Sequence, residues 1–328
     1  MFNLFEELSW PQFVQLPEVV RLPINEQVQQ YNQYLYNLSV ARQNWIDIQN
    51  KGVISSTSSP FATSGDFLID TSIVGDGTSN SNQFQLPLLN QVMNFTIDWG
   101  DGTTDVITSY NQPETLHTYA TPGEYYISIT SGILKGWQFN PGDAIKLKEI
   151  FDWSVWEITN PSTFYGCSNL VSSATNVPTI STSNLNATFA SCTNFNGPLN
   201  DWDLSGVTQT RQMFQDAASF NQPLNNWDVS RITDMNAMFF GATAFNQNLG
   251  GWNISSVTSF NDFMSSKTPS TFSSANLTAI YSGWSLLSVQ PNLNISFGTA
   301  KYTAAGATGR AILDNAPNNW TITDGGQV

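Results

Sequence analysis

A 25-residue grid runs through the second half of this chain and constrains its fold more than any other feature. Phe164, Phe189, Phe214, Phe239 and Met264 fall on that grid, as do Phe195, Phe220 and Phe245, Leu199, Leu224 and Leu249, and Trp202, Trp227 and Trp252. Self-similarity at a period of roughly 20 to 50 residues is the signature of a solenoid, in which each unit buries its apolar face against its neighbours. The Phe, Leu and Trp columns are therefore the expected repeat core. A large aromatic buries about 150–250 Å², so losing one should cost roughly 3–5 kcal/mol. Such a fold offers an extended, regular surface and no obvious catalytic pocket. The expectation shifts toward recognition or construction and away from chemistry.

Composition points the same way. The 328 residues suffice for two or three domains, and an apolar content of 40% suffices to give each a core. Only 11% of residues are charged, well below the usual proportion, while Asn, Gln, Ser and Thr are abundant. A polar, uncharged surface suits β-rich extracellular or virion proteins. The net charge of −14, with 11 scattered basic residues, argues against nucleic acid, which demands clustered Lys and Arg. Cys167 and Cys192 lie one repeat apart, in the column that Ala217 and Ala242 occupy later. Small buried residues in an alanine slot are expected there, and whether they are bridged is open. Two Cys and a distant His117 do not make a zinc site.

The first 52 residues read differently from the rest. After an aromatic lead containing Trp10 and Phe13, a helix is expected from about Pro23 to Lys51. Ile24, Val28, Tyr31, Leu35, Leu38 and Trp45 form a heptad-like seam, interrupted at Arg42. The Ser-rich run at 55–59 reads as a linker, which favours an anchor or oligomerisation helix over one packed on its own body domain. Trp10, Phe13, Val28, Tyr31, Leu35, Leu38 and Trp45 are the candidate docking residues. Residues Met1–Glu7 lack the pattern of a secretory signal, and no apolar run approaches the length of a membrane span.

Residues 53–138 read as short strands punctuated by Gly, Asn, Asp and Pro: Phe67–Ile69, Phe84–Leu88, Phe95–Trp99 and Tyr125–Ile129. Asp101-Gly102 is a tight-turn signal, and the spacing suggests a small sandwich. Within it, Trp99-Gly100-Asp101-Gly102-Thr103 followed by His117-Thr118-Tyr119 and Gly123-Glu124-Tyr125 resembles the polycystic-kidney-disease (PKD) domain. That resemblance implies an immunoglobulin-like sandwich serving as a spacer or binding module, with these residues mostly structural.

Residues 139–265 are the repeat block. Met213-Phe214 through Trp227-Asp228-Val229-Ser230 is the clearest copy, and it resembles the BspA-type leucine-rich repeats of bacterial surface proteins. The likeness weakens in the first copy, where Val177 replaces the Trp, as expected of a transition coil. Asp203, Asp228 and Asn253, each two places before Ser205, Ser230 and Ser255, are expected to satisfy turn amides; a ladder for carbohydrate or cations is the alternative. Residues 266–328 depart from the grid, with helices expected around 277–280 and 309–313 and strands around 293–297 and 320–323. Their position suits a capping module, and the run from Tyr302 through Arg310 to Gly326 resembles the C-terminal module that accompanies such repeats.

Candidate chemistry is sparse. Any catalytic triad must run through His117, which the strand motif already explains. No metalloprotease, P-loop or nucleophile-elbow motif is present. Asp98, Asp101 and Asp105 cluster near a turn, but a solvated turn is favoured over a Ca²⁺ site. No catalytic, cofactor-binding or metal residue is assigned.

The expectation is a multidomain, mainly β protein: a helical N-terminal anchor (1–52), a PKD/immunoglobulin-like β-sandwich (53–138), a leucine-rich-repeat solenoid (139–265) and an α/β C-terminal cap (266–328). Functionally it reads as a non-enzymatic bacteriophage virion protein, such as a head or tail fibre or a decoration protein. The N-terminus would dock on capsid or tail proteins, and the repeats would face a host glycan or protein; the heptad-like seam leaves a homo-oligomer open. A bacterial cell-surface adhesin is the alternative, and a polysaccharide depolymerase is less favoured because nothing selects a carboxylate pair.

Overall fold

The computed structural model describes residues 65–75, 77–139 and 142–328. The expected N-terminal helix, with Trp10, Phe13, Val28, Tyr31, Leu35, Leu38 and Trp45, lies outside the described residues, as does the Ser-rich run. The described part is mainly β, with twelve short strands and two α-helices, and its sheets form no closed barrel.

The first strands follow the alternation of the sequence. They are β1 (Phe67–Asp70), β2 (Gln83–Gln85), β3 (Phe95–Asp98), β4 (Thr104–Ile107), β5 (Leu116–Thr118) and β6 (Glu124–Ser131). In β6, Tyr125, Ile127 and Ile129 are buried and the residues between them are not, as a strand with one wet face requires. Strand β2 stops short of the expected Leu88 because Pro87 offers no N–H to a ladder. Leu88 instead makes a lone antiparallel bridge to Trp137. The tight turn falls where Asp101-Gly102 places it, joining antiparallel β3 and β4.

Strands β7 (Leu147–Ile150), β8 (Glu157–Ile158), β9 (Val171–Ser172) and β10 (Thr179–Ile180) come next. The main sheet has the order β4-β3-β6-β1-β7-β9, while β2 and β5 pair separately. Strand β1 thus lies between β6 on one side of residue 138 and β7 on the other. The expected boundary between 138 and 139 is not a break, because one sheet crosses it and one hydrophobic core runs from Phe67 to Trp320. Alternation over four residues marks a strand without naming its partner, so sequence gave no sign of this shared sheet.

Beyond β10 the chain repeats one conformation. Lone parallel bridges join Asn184 to Gln209, Gln209 to Asp234, and Asp234 to Ser259, each 25 residues on. The N–H groups of Phe164, Phe189, Phe214 and Phe239 donate to the carbonyls of Thr188, Met213, Met238 and Phe263, at 2.9–3.0 Å. Successive rings of this column stack at 5.4, 5.8 and 5.5 Å. Phe195, Phe220 and Phe245 stack beside them at 6.1 and 5.9 Å. Trp202, Trp227 and Trp252 are buried with them. Val177, standing where the first copy lacks its Trp, is exposed and takes no part in the core.

The segment after the grid extends the same ladder. Helix α1 (Ser274–Trp284) is capped by the Ser273 side chain, which accepts from the N–H of Asn276. Helix α2 (Ala307–Asp314) follows β11 (Asn294–Ser296) and precedes β12 (Thr321–Thr323). Phe260 bridges in parallel to Ile295, and β11 pairs in parallel with β12. The two helices occupy the side of the stack where earlier copies have only turns. Trp284, at the end of α1, donates its indole N–H to the Leu249 carbonyl as Trp252 does to that of Leu224. The columns continue there on longer spacings, which is why the grid loses them.

Candidate recognition surface

The motif around His117 is architecture. The imidazole stacks on Trp99 at 4.4 Å, meets Tyr119 edge-on and lies 2.9 Å from an Asp101 carboxylate oxygen. Burial works against the Asp101 charge, but hydrogen bonds with Thr103 and His117 hold its carboxyl below the usual range. The Trp99 indole N–H donates to Asp105, and Asp98 accepts from the N–H of Gly100. Asp98, Asp101 and Asp105 thus each serve separate hydrogen-bond partners. Among the described residues no group of three acidic, His or Cys side chains is arranged to hold a metal ion.

Cys167 and Cys192 are buried free thiols in adjacent coils, and Cys192 Sγ donates to the Phe164 carbonyl. Burial, then its neighbour Cys192, pushes the Cys167 thiol well up, so it is a packing residue and a poor nucleophile. Lys267 stands one period beyond Ala242 in the same column. It is buried, and its ammonium donates to the carbonyls of Ala242 and Thr243. The segment that follows bonds back to it, the Thr299 N–H donating to the Lys267 carbonyl, and burial lowers the Lys267 pKa to about 8. The sequence reading passed over it; the 25-residue step beyond Ala242 was its only signal.

A second buried cation ties the sheet to the coils. Lys146 Nζ donates to the carbonyls of Ser79, Asn80 and Gln83 and to the Ser79 hydroxyl, while Asp143 accepts from the N–H groups of Ser79 and Gln85. Burial depresses the lysine pKa and Asp143 opposes the shift. Both charges are partnered, so the pair locks the 79–85 loop. In the last coil, Asp324 accepts from Arg310 Nε at 2.7 Å and from the Tyr281 hydroxyl. That cluster accounts for the Arg310 and Asp324 positions of the C-terminal pattern.

The repeat exterior is hydrogen-bonded along its length. Asp203, Asp228 and Asn253 accept from the N–H of Ser205, Ser230 and Ser255 at 2.9, 3.0 and 3.2 Å. For Asp203 and Asp228 the Ser hydrogen bonds lower the carboxyl pKa. An asparagine ladder that the sequence reading passed over runs beside them. Asn196 Oδ1 accepts from Asn221 N, Asn221 from Asn246 N, and Asn246 from Ser273 N, at 2.8–2.9 Å. The recurring Phe-Asn pair at 195–196, 220–221 and 245–246 was its visible signal.

One exterior strip differs in character. A turn opens every coil: the N–H of Tyr165, Ala190, Gln215 and Phe240 each donates three residues back, to Ser162, Ala187, Gln212 and Ala237. Those four acceptor residues all have φ between 51° and 57°. Residues 165, 190, 215 and 240 therefore hold the same turn position; Ala190 is buried there and Gln215 half-buried. Among these, Tyr165 is 44% exposed and Phe240 38% exposed. Gln212 Nε2 donates to Gln215 Oε1 at 2.6 Å, and Gln215 Nε2 to Asp216 Oδ2 at 3.3 Å.

Residues 140–278 match the family model described as Mycoplasma protein of unknown function, DUF285. This stretch contains all the regular coils and only the first turn of α1. No curated protein and no solved structure matches the chain.

Proposed function

We propose that this chain is a non-enzymatic attachment protein, displayed on a bacteriophage particle as a head or tail fibre or a decoration protein. In this reading a leucine-rich-repeat solenoid faces outward, a PKD-like sandwich serves as its base, and residues 1–52 dock on capsid or tail proteins. The observation that carries it is the single core running from the sheet through the coils to β12. A rod built by repetition, with its polar groups bound in outer ladders, is a spacer and a display surface. The polar, weakly charged, acidic composition suits such exposure. No helix among the described residues is long and apolar enough to cross a membrane.

The match to a family of Mycoplasma proteins favours a second reading, a bacterial cell-surface adhesin. A polysaccharide depolymerase draws no support from the geometry. Asp203 and Asp228, the acidic pair that the repeat lines up, are tied into turns.

Mass spectrometry of the native protein across purified particles, cell envelope and cytosol of a producing culture separates the first two readings. Recovery with particles is the expected result, and binding to particles should be lost when residues 1–52 are removed. Recovery in the envelope, with none in particles, sinks the virion reading and promotes the adhesin.

A further inference from the structure

We infer that the strip from Tyr165 to Phe240 binds a linear, neutral glycan lying along the stack. This rests on the attachment reading and names the partner class and the residues that read it. The two rings are separated by three coils, and the rings packed beneath them step by 5.4, 5.8 and 5.5 Å. That places Tyr165 and Phe240 about 17 Å apart, with each coil advancing by close to one pyranose unit of an extended chain.

The chemistry between the rings is that of a sugar site. In the coil after Tyr165 the turn carries only small residues: Ala190 is buried, and Ala187 and Ser191 are half-buried. The next coil brings Gln212, Gln215 and Asp216, whose mutual hydrogen bonds hold two amides and a carboxylate in a fixed order. The following coil presents Phe240 beside Gly241, against whose backbone the Asp216 carboxylate lies; a Cβ at Gly241 would meet Asp216 Oδ1. Aromatic faces suit the C–H faces of pyranoses, and preset amide and carboxylate groups suit their hydroxyls.

Charge narrows the class. The strip contains Asp216 and Asp262 and no basic residue; Arg211 lies just before Gln212 on the neighbouring column, and the whole chain carries −14. A polyanionic glycan would be repelled, so a neutral chain fits. A protein partner is the competing class, but two isolated rings three coils apart lack the contiguous apolar centre of a protein interface.

The test is calorimetric titration of the full chain with cello-, chito-, malto- and xylotetraose, and with the matching disaccharides. At least one tetrasaccharide should bind, its disaccharide at least roughly tenfold more weakly because it cannot span both rings. Tyr165→Ala and Phe240→Ala should each weaken binding roughly tenfold, and Tyr165→Phe should retain it, since the ring remains. Unchanged thermal melting of the variants confirms folding, which exposed rings make the expected result. The inference is overturned if no tetrasaccharide binds, if binding survives the double alanine variant, or if sulfated dextran binds more tightly than every neutral chain. The attachment reading fails separately. A chain absent from particles that still binds a tetrasaccharide through these rings keeps the sugar site and loses the virion. A particle-borne chain blind to all four sugars does the reverse.

Discussion

The regular coils and the joint that ties them to the sheet are both packed around tryptophan, but only one of them satisfies it. In the coils, Trp227 and Trp252 donate their indole N–H to the carbonyls of Leu199 and Leu224, 28 residues earlier. In and around the joint, Trp137, Trp153, Trp156 and Trp202 are buried in edge-to-face contact, and none of their indole N–H groups has a hydrogen-bond partner. Counting back 28 residues from Trp202 reaches Ala174, in the irregular first copy, and no bond forms. Translational repetition supplies a partner for a buried polar atom automatically, because whatever one coil needs the previous coil already holds. Where a sheet meets a stack, that supply ends and shape alone holds the rings.

Six substitutions probe the contrast. Phe214→Ala should have the largest effect. It removes a ring stacked on Phe189, Phe220 and Phe239 and should cost roughly 3–5 kcal/mol in urea denaturation. Hydrogen exchange should localise the damage to the flanking coils if units couple only to neighbours; protection lost equally in the β1–β6 sheet would count against that.

Lys267 tests the last position of the Cys/Ala column by pH. Its folded pKa of about 8 lies below the ordinary 10.5, so between those values the unfolded chain binds more protons. The burial penalty is therefore complete below pH 8 and is relieved as pH rises toward 10.5, so this group makes stability increase across that window. The increment is at most roughly 3 kcal/mol. Lys267→Met should flatten that rise in denaturation midpoints, and an unchanged slope would show that the ammonium is better solvated than its burial implies.

The tryptophans give the direct test. Trp227→Phe leaves the Leu199 carbonyl without its donor and should cost about 1–3 kcal/mol more than Trp202→Phe, which discards an N–H that had no partner. Equal costs would erase the distinction between joint and coil. The smallest expected effect is a gain. Ala237 sits at φ 51°, a conformation only glycine adopts without strain, so Ala237→Gly should stabilise by about 0.5–1 kcal/mol. The opposite change at Gly241, φ 72°, should destabilise, because its Cβ would collide with Asp216.

What the sequence revealed depended on whether a position had to look the same in every copy. Core columns cannot vary, so Phe164 through Phe239 and Trp202 through Trp252 were readable, as were α1, α2, β11 and β12 from local pattern. The shared sheet was not, because β7 and β9 join it through backbone pairing that carries no residue signature. The left-handed positions were hidden as well, since Ala187 and Ala237 give no hint of positive φ; coil packing overrides their preference. The strip with Tyr165 and Phe240 was missed for the reverse reason. Its residues change from coil to coil, and a search for sameness discards them, although variation on an invariant frame is where a recognition surface is written.

The constant offset of the ladders has a genetic consequence. Each coil bonds its neighbours through positions one period away, so removing residues 211–235 would rejoin Thr210 to Asn236 with every column in register. Recombination between near-identical gene segments adds or drops whole coils of this kind. The length of the rod, and the distance between its two exposed rings, can then change in single inherited steps of about 5.5 Å.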